Sequence, residues 1–438
     1  MSVNQLIRPI TFDNTNTTTI GGCSLSELAK KYGTPLYVID EKSLRKIANE
    51  YKDAFSDCSE IKILFALKSN CNLAVASILN SEGIGFDAVS SGELYTLIKA
   101  GVDLKNVLFN GNNKTKEELS FALKNNIGRI SVDNFLELKQ LNSLCEQFNK
   151  NTDILLRITP GIECHTHEYI KTGQIDSKFG FNMSQIDEAI NLIRNSYRNL
   201  NLKGLHSHIG SQIFETKSYY DEIDIVIKEV ARINSKFDIA LDEINIGGGL
   251  GVKYTDEDLP PSIEEYANVV KSAINEFCVQ NNVKLSKIYI EPGRSIISTS
   301  GVTLYTVGSS KQVPNGRKYI AVDGGMADNP RPAMYNAKYS VMAVDNNSQE
   351  MEEVTIGGRY CESGDILIEN VLLPKLTEGD ILCVFNTGAY NYSMASNYNK
   401  FEKPAMVLVN NSQSDIIVNR ESKEDLIRNE HIPDRLKL

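Results

Sequence analysis

A lysine, a run of glycines and an acid–base pair, each closing a β-branched segment, set the chemistry this sequence can support. Lys68 ends the run ILFALK (63–68); an ammonium inside a packed strand is too costly, so it belongs at a strand mouth. A lysine there is ordinarily a solvated charge. Desolvated, it becomes a neutral amine able to form a Schiff base with an aldehyde. Gly247, Gly248 and Gly249 in INIGGGLG (244–251) either make a tight turn or leave backbone N–H groups open to a phosphate. Glu291 and Arg294 flank the turn Pro292–Gly293 in YIEPGRS (289–295). They suit a structural ion pair, or else a ring nitrogen and an anionic group respectively. A protonated ring nitrogen matters because the ring then becomes an electron sink. Each feature alone has a bland reading; a phosphate-bearing aldehyde cofactor needs all three.

Other chemical residue types fall at similar places. Asp87 and Asn110 close two further β-branched runs, and His206 and His208 in HSHIGSQ (206–212) close another. Only one of the two histidines is expected to face a ligand; His208 is the one placed to stack on a planar ring. The segment CESGD (361–365) is too small and polar for a core, so Cys361 and Glu362 read as a loop reaching into a site. Tyr390 in GAYNYSM (388–394) follows a Gly-Ala turn and can present its phenol to a phosphate.

The elements that must position these residues alternate. Between residues 61 and 293 eight strand-like runs, 63–68, 85–90, 107–111, 129–133, 153–160, 202–210, 243–249 and 287–293, are separated by helix-period stretches. Eight βα units are the number a (β/α)8 TIM-type barrel needs, and barrel active sites lie at the C-terminal strand ends, where the residues above fall. An open doubly wound sheet is the structural alternative. After about residue 296 helical periodicity fades and short runs such as VTLYTVGSS, KYIAVDGG and DILCVFNTG alternate with turns, which predicts a C-terminal antiparallel β-barrel or sandwich. The run ITF near the N-terminus is expected to pair with it. The barrel is therefore expected over 36–296, and the β domain over 1–35 plus 297–438.

Composition narrows the function classes. The net charge of −10 over 438 residues argues against nucleic-acid or anionic-membrane partners, which call for a basic surface. Eight cysteines include no C-x-x-C pair, so neither a zinc site nor a secreted disulfide framework is expected. No apolar run approaches 18 residues, and the N-terminus lacks a signal-peptide core. A reduced, cytoplasmic protein is expected.

Longer motifs carry a resemblance. The segments YGTPLYVID (32–40), FNGNNKT (109–115), TPGIECHTHEYIKTGQIDSKFGF (159–181), GLHSHIGSQ (204–212), RPAMY (331–335) and CESGD (361–365) resemble the fold-type III pyridoxal-phosphate decarboxylases, and within them the diaminopimelate decarboxylase family. The similarity runs from residue 32 to about residue 399. It implies decarboxylation of meso-2,6-diaminopimelate to L-lysine and CO2, the last step of lysine biosynthesis. It implies that Lys68 holds pyridoxal 5′-phosphate as a Schiff base, Glu291 meets its ring nitrogen and His208 stacks on its ring. Asp87, Ser211, Gly248, Gly249, Pro292, Gly293, Arg294 and Tyr390 would line the cofactor. Arg294, Arg331, Tyr335, Glu362 and Tyr390 would engage the substrate. Cys361 and Glu362 would come from the second subunit of a homodimer with shared sites, with Cys361 as the acid at Cα. The chain departs from the family pattern at Gly358–Arg359–Tyr360, Pro330, Asn386–Thr387 and Ser207, none of which removes a chemical group. An arginine, ornithine or carboxynorspermidine-type decarboxylase, a non-catalytic cofactor-binding homologue and an amino-acid racemase are the alternatives at this stage.

Overall fold

The computed structural model describes residues 9–12, 17–161 and 177–437. The chain divides into two compact units, one of Arg45–Lys253 with Asp258–Ile296, the other of Met1–Leu44, Tyr254–Glu257 and Ile297–Leu438.

In the first unit the eight β-branched runs become eight strands: Ile61–Ala66, Gly85–Ala88, Val107–Phe109, Arg129–Val132, Thr152–Thr159, Leu200–His206, Glu243–Asn245 and Lys287–Ile290. Each pairs in parallel with the next, and the eighth returns to the first. The sheet is closed, which removes its edges and excludes the open doubly wound alternative. Strands enclosed on both faces are largely apolar: Val107–Phe109 and Ile130–Val132 are buried at every position, with Ser131 the one polar residue among them.

The polar residues that open the barrel helices are caps. Asn72 accepts from the backbone N–H groups of Ala74 and Val75, Ser90 caps Ser91–Lys99, and Thr115 forms a reciprocal capping box with Glu118. Every ladder ends a few residues before its run of β-branched residues does. Lys68 thus lies in a one-turn 3-10 helix, Leu67–Ser69, just beyond the first strand. The backbone leaves the sheet at the mouth, and there its side chains are free to converge.

The second unit is built on a long strand, Gly301–Gln312, which pairs antiparallel with Leu36–Asp40, Lys318–Val322 and Ile381–Val384. Two pairings are parallel, Leu36–Asp40 with Ala405–Asn410 and Lys318–Val322 with Met351–Gly357, so the sheet is mixed and not wholly antiparallel. The run Ile10–Phe12 pairs with Thr18–Ile20, not with the C-terminal strands. Leu36–Asp40 takes that central place because all five of its residues are buried, whereas two of the three in Ile10–Phe12 are exposed. Its Leu36 and Val38 pack with Leu25, Val302, Leu304 and Val407 in the unit's core. Among the described residues no helix is long and apolar enough to cross a membrane, and no group of three or more His, Cys, Asp or Glu could hold a metal ion.

Candidate active site

The C-terminal mouth of the barrel gathers a buried polar network around Glu291. Asn110 and Asn245 donate from their side-chain amides to Glu291 Oε1 at 3.1 and 2.6 Å, and His206 Nε2 lies 3.6 Å from the same oxygen. Asn110 also donates to Asp87 Oδ1 at 2.5 Å, and Asp87 Oδ2 is 4.0 Å from Lys68 Nζ. Loops close around these groups because they pack backbone to backbone: the Ala66 amide donates to the Pro292 carbonyl at 3.1 Å. A Cβ on Gly293 would stand 2.9 Å from that of Ala66. Pro292 and Gly293 thereby bring the end of the eighth strand against the end of the first.

Two buried carboxyls in one network cannot share the same protonation behaviour. Burial, reinforced by the Glu291 charge, pushes the Asp87 carboxyl up to about 7, against the pull of Lys68. Burial works against the Glu291 charge as well. There His206 and Lys68 outweigh it and hold the carboxyl below the usual range. Glu291 is therefore the permanent anion at the barrel centre and Asp87 the titrating neighbour of Lys68. Burial, followed by the nearby Lys68 charge, drives the His208 imidazole well down, so it is neutral at pH 7.

The histidines correct the expectation that only one would face the site. Residues two apart on a strand share a face, so His206 and His208 both turn inward and the intervening Ser207 turns outward. Ser207 Oγ donates to Glu222 Oε1 at 2.5 Å on the covering helix Lys217–Phe237. The other oxygen of Glu222 is buried without a hydrogen-bond partner. Burial pushes this carboxyl up to about 8 despite the Ser207 hydrogen bond, with Glu291 adding to the rise. The folded chain then keeps a proton that the unfolded chain releases near pH 4.5. Glu222 contributes stability fully below that pH and loses it as pH rises through about 8. Glu222→Gln, neutral throughout, should lose less thermal midpoint than the parent between pH 5 and 8, a difference on the order of several degrees. Parallel midpoint–pH curves for the two proteins would show that the buried carboxyl is not protonated.

The glycine run is shaped by close packing more than by open amides. The Gly247 amide donates to Asn245 Oδ1 at 2.8 Å and the Gly248 amide to His208 Nδ1 at 3.2 Å, whereas Gly249 donates no hydrogen bond among the described residues. A Cβ on Gly248 would fall 2.0 Å from the Glu291 carbonyl oxygen, and one on Gly249 2.4 Å from that of Gly210. Gly249 also has φ +107°, which an L side chain rarely adopts. Arg294, buried, donates from Nη2 to Ser211 Oγ at 3.3 Å. Reactive amine, fixed anion, neutral imidazole and a bare glycine turn beside a guanidinium fit a planar aldehyde with a ring nitrogen and a phosphate.

The remaining sequence candidates belong to the second unit. Arg331 is buried, donates to the Tyr339 hydroxyl at 2.8 Å and lies 5.1 Å from the Tyr254 ring centroid; no carboxylate pairs with it among the described residues. Tyr335 ends the short helix Arg331–Tyr335, and Tyr390 sits at φ +64° after the Gly-Ala turn. Cys361 and Glu362 are exposed, with the Cys361 amide bonded to Asn399 Oδ1 at 2.8 Å, so Cys361 is not the buried structural thiol that burial statistics favour. The long motif 159–181 lies mostly outside the described residues.

Sequence reasoning missed Asn245, Ser131 and Arg157. Asn245 orients Glu291, Ser131 Oγ lies 2.6 Å from His206 Nδ1, and Arg157 is buried on the fifth strand over the Phe179 ring at 4.4 Å. Arg157 carried the same signal as Lys68, a charge inside an apolar strand run, and went unweighed.

A profile of the family described as "Pyridoxal-dependent decarboxylase, pyridoxal binding domain" matches residues 41–298. A diaminopimelate decarboxylase of Synechocystis sp. is 44% identical over 99% of this chain and 95% of its own. One of Bacillus subtilis is 44% identical over 93% and 94% respectively. The crystal structure of diaminopimelate decarboxylase from M. jannaschii in complex with L-lysine superposes with a TM-score of 0.93 at 33% identity, over 99% of this chain and 100% of that one. With pyridoxal phosphate as the cofactor that the mouth residues fit, the chain belongs to the pyridoxal-dependent decarboxylases, and among them to the diaminopimelate decarboxylase family.

Proposed function

We propose that this protein decarboxylates meso-2,6-diaminopimelate to L-lysine and CO2, the last step of lysine biosynthesis, as a cytoplasmic homodimer with shared active sites. The observation that carries the reading is the convergence of Lys68, Asp87, His208 and Glu291 at one barrel mouth, in the family whose relatives bear that name. When bound, pyridoxal phosphate supplies an electron sink for the pair left at Cα as CO2 departs.

The chain supplies everything else. Lys68 would hold the cofactor through its amine until the substrate amine takes its place. Asp87 beside it accepts or returns a proton near neutral pH. Glu291, kept ionised, holds a proton on the ring nitrogen by charge pairing. His208, neutral, would stack on the ring without repelling that proton. Ser211, Gly248, Gly249, Arg294 and Tyr390 hold the phosphate. Arg331 and Tyr335 bind the distal carboxylate, and Arg294 and Tyr390 complete the substrate pocket. Glu362 pairs with the distal ammonium, a demand that rejects amino acids lacking these groups. The Cys361 thiol delivers a proton to Cα.

The exposure of Cys361 and Glu362 within one chain supports their donation to a second copy. Mixing Lys68→Ala with Cys361→Ala, each inactive alone, should then restore about a quarter of parental activity, since half the dimers carry one intact site. Mixtures as inactive as their components would place Cys361 in its own chain's site. The function itself is tested by measuring CO2 release from meso-diaminopimelate, arginine, ornithine and carboxynorspermidine. Release from diaminopimelate is expected; faster release from any other would overturn the substrate.

A further inference from the structure

The barrel end remote from Lys68 carries a cavity of about 570 Å³. It opens at the starts of the first, second, third, fourth and eighth strands, beneath the turn that follows the helix Glu41–Ala54. Its volume lies within the range of small-ligand pockets, roughly 300–1,000 Å³. Five cationic side chains line it, Lys52, Lys62, Lys105, Arg129 and Lys287, and among the described residues no carboxylate does, in a chain whose net charge is −10.

Part of this charge has a structural explanation. Arg129 is paired with Glu243 through two hydrogen bonds of 2.8 and 2.7 Å and with Asp153 at 2.8 Å, and Lys287 stands 3.7 Å from Glu243. That network ties the fourth, fifth, seventh and eighth strands together and accounts for two of the five cations. The other three are surplus to it. Lys62 Nζ donates to the Ser59 carbonyl at 3.0 Å and Lys52 Nζ to the Asn49 side-chain oxygen at 3.1 Å, with the Lys52 charge also felt by the Glu82 carboxylate, and Lys105 makes no ion pair among the described residues. Three lysines around one concavity repel one another, a cost that a bound anion relieves.

The floor is formed by Leu64, Leu108 and the Tyr289 ring, which pack with Leu155, together with Phe55; the Tyr289 hydroxyl donates to the buried Glu243 carboxylate at 3.3 Å. Asn80 and Asn106 add neutral hydrogen-bonding groups to the wall. A cationic rim over an aromatic and aliphatic floor selects a multiply charged anion that has a flat apolar body, and the volume exceeds what an inorganic ion fills. We propose that this cavity binds an organic phosphate ester of the nucleotide class, its ring on the Tyr289 floor and its phosphates on the Lys52, Lys62 and Lys105 rim. The site opens on the strands whose far ends carry Lys68, Asp87, Asn110 and Glu291.

The cofactor-loaded enzyme is titrated calorimetrically with ATP, with adenosine as the uncharged control, at low ionic strength. Saturable binding of one ATP per chain is expected, with none of adenosine. Lys62→Glu/Lys105→Glu should weaken it by about tenfold or more while leaving turnover without ATP unchanged. Cys58 lines the cavity, so ATP should slow its alkylation as read by peptide mass spectrometry. Absence of saturable ATP binding, equal binding by the double variant, or unprotected Cys58 would each overturn the proposal.

Discussion

Lys68→Ala should purify as a folded protein that lacks the visible absorption band of a lysine-linked cofactor, with turnover lowered by on the order of 10⁴-fold or more. Three features of the mouth make this the largest single loss. Lys68 is the amine facing Asp87, 4.0 Å from a carboxyl that burial pushes up to about 7. The residue lies in a one-turn 3-10 helix beyond the first strand, and its side chain is about 41% exposed, so truncation removes no core packing. Ser211 and Arg294, the residues proposed to hold the phosphate, are untouched, so cofactor should still bind, now reversibly. A variant that keeps the band and is still trapped by borohydride would move the covalent attachment to another lysine.

Glu291→Gln should be the second largest loss, about 10²–10³-fold in kcat, with a thermal midpoint within a few degrees of the parent. The glutamine keeps an oxygen to accept from Asn110 and Asn245, so the buried network survives in outline. What it loses is the charge. His206 and Lys68 hold the carboxyl ionised against its burial, and only an anion there favours a protonated ring nitrogen. The same substitution relieves the repulsion that helps raise Asp87, so the Asp87 carboxyl should titrate lower in the variant. Normal turnover by Glu291→Gln would remove it from any role at the ring nitrogen.

How far the sequence disclosed this arrangement depended on the kind of signal. Eight β-branched runs in alternation with capped helices named the barrel, because strands enclosed on both faces have little freedom in composition. Lys68, Glu291 and Gly247–Gly249 were legible because their types conflict with a strand interior or demand an unusual backbone. Asn245 and Ser131 were not: small polar residues at strand ends are common, and only the closed barrel brings them to Glu291 and His206. The face assignment of the histidines failed on period, since positions 206 and 208 are two apart and must share a side. The N-terminal pairing failed for a packing reason. ITF was as strand-like as LYVID, yet only LYVID is apolar enough to be buried between two neighbours. The pairing of Ser207 with Glu222 joins residues 15 apart across a strand and its covering helix, a contact that no local pattern encodes.

At this site CO2 leaves meso-diaminopimelate and a solvent-derived proton takes its place. Incubating the cofactor-loaded enzyme with meso-diaminopimelate in D2O, and analysing products by mass spectrometry, tests it most directly. L-lysine carrying one deuterium on carbon is expected, with one equivalent of CO2 released per lysine. Diaminopimelate recovered with deuterium at Cα and no CO2 would instead identify a racemase, and would contradict it.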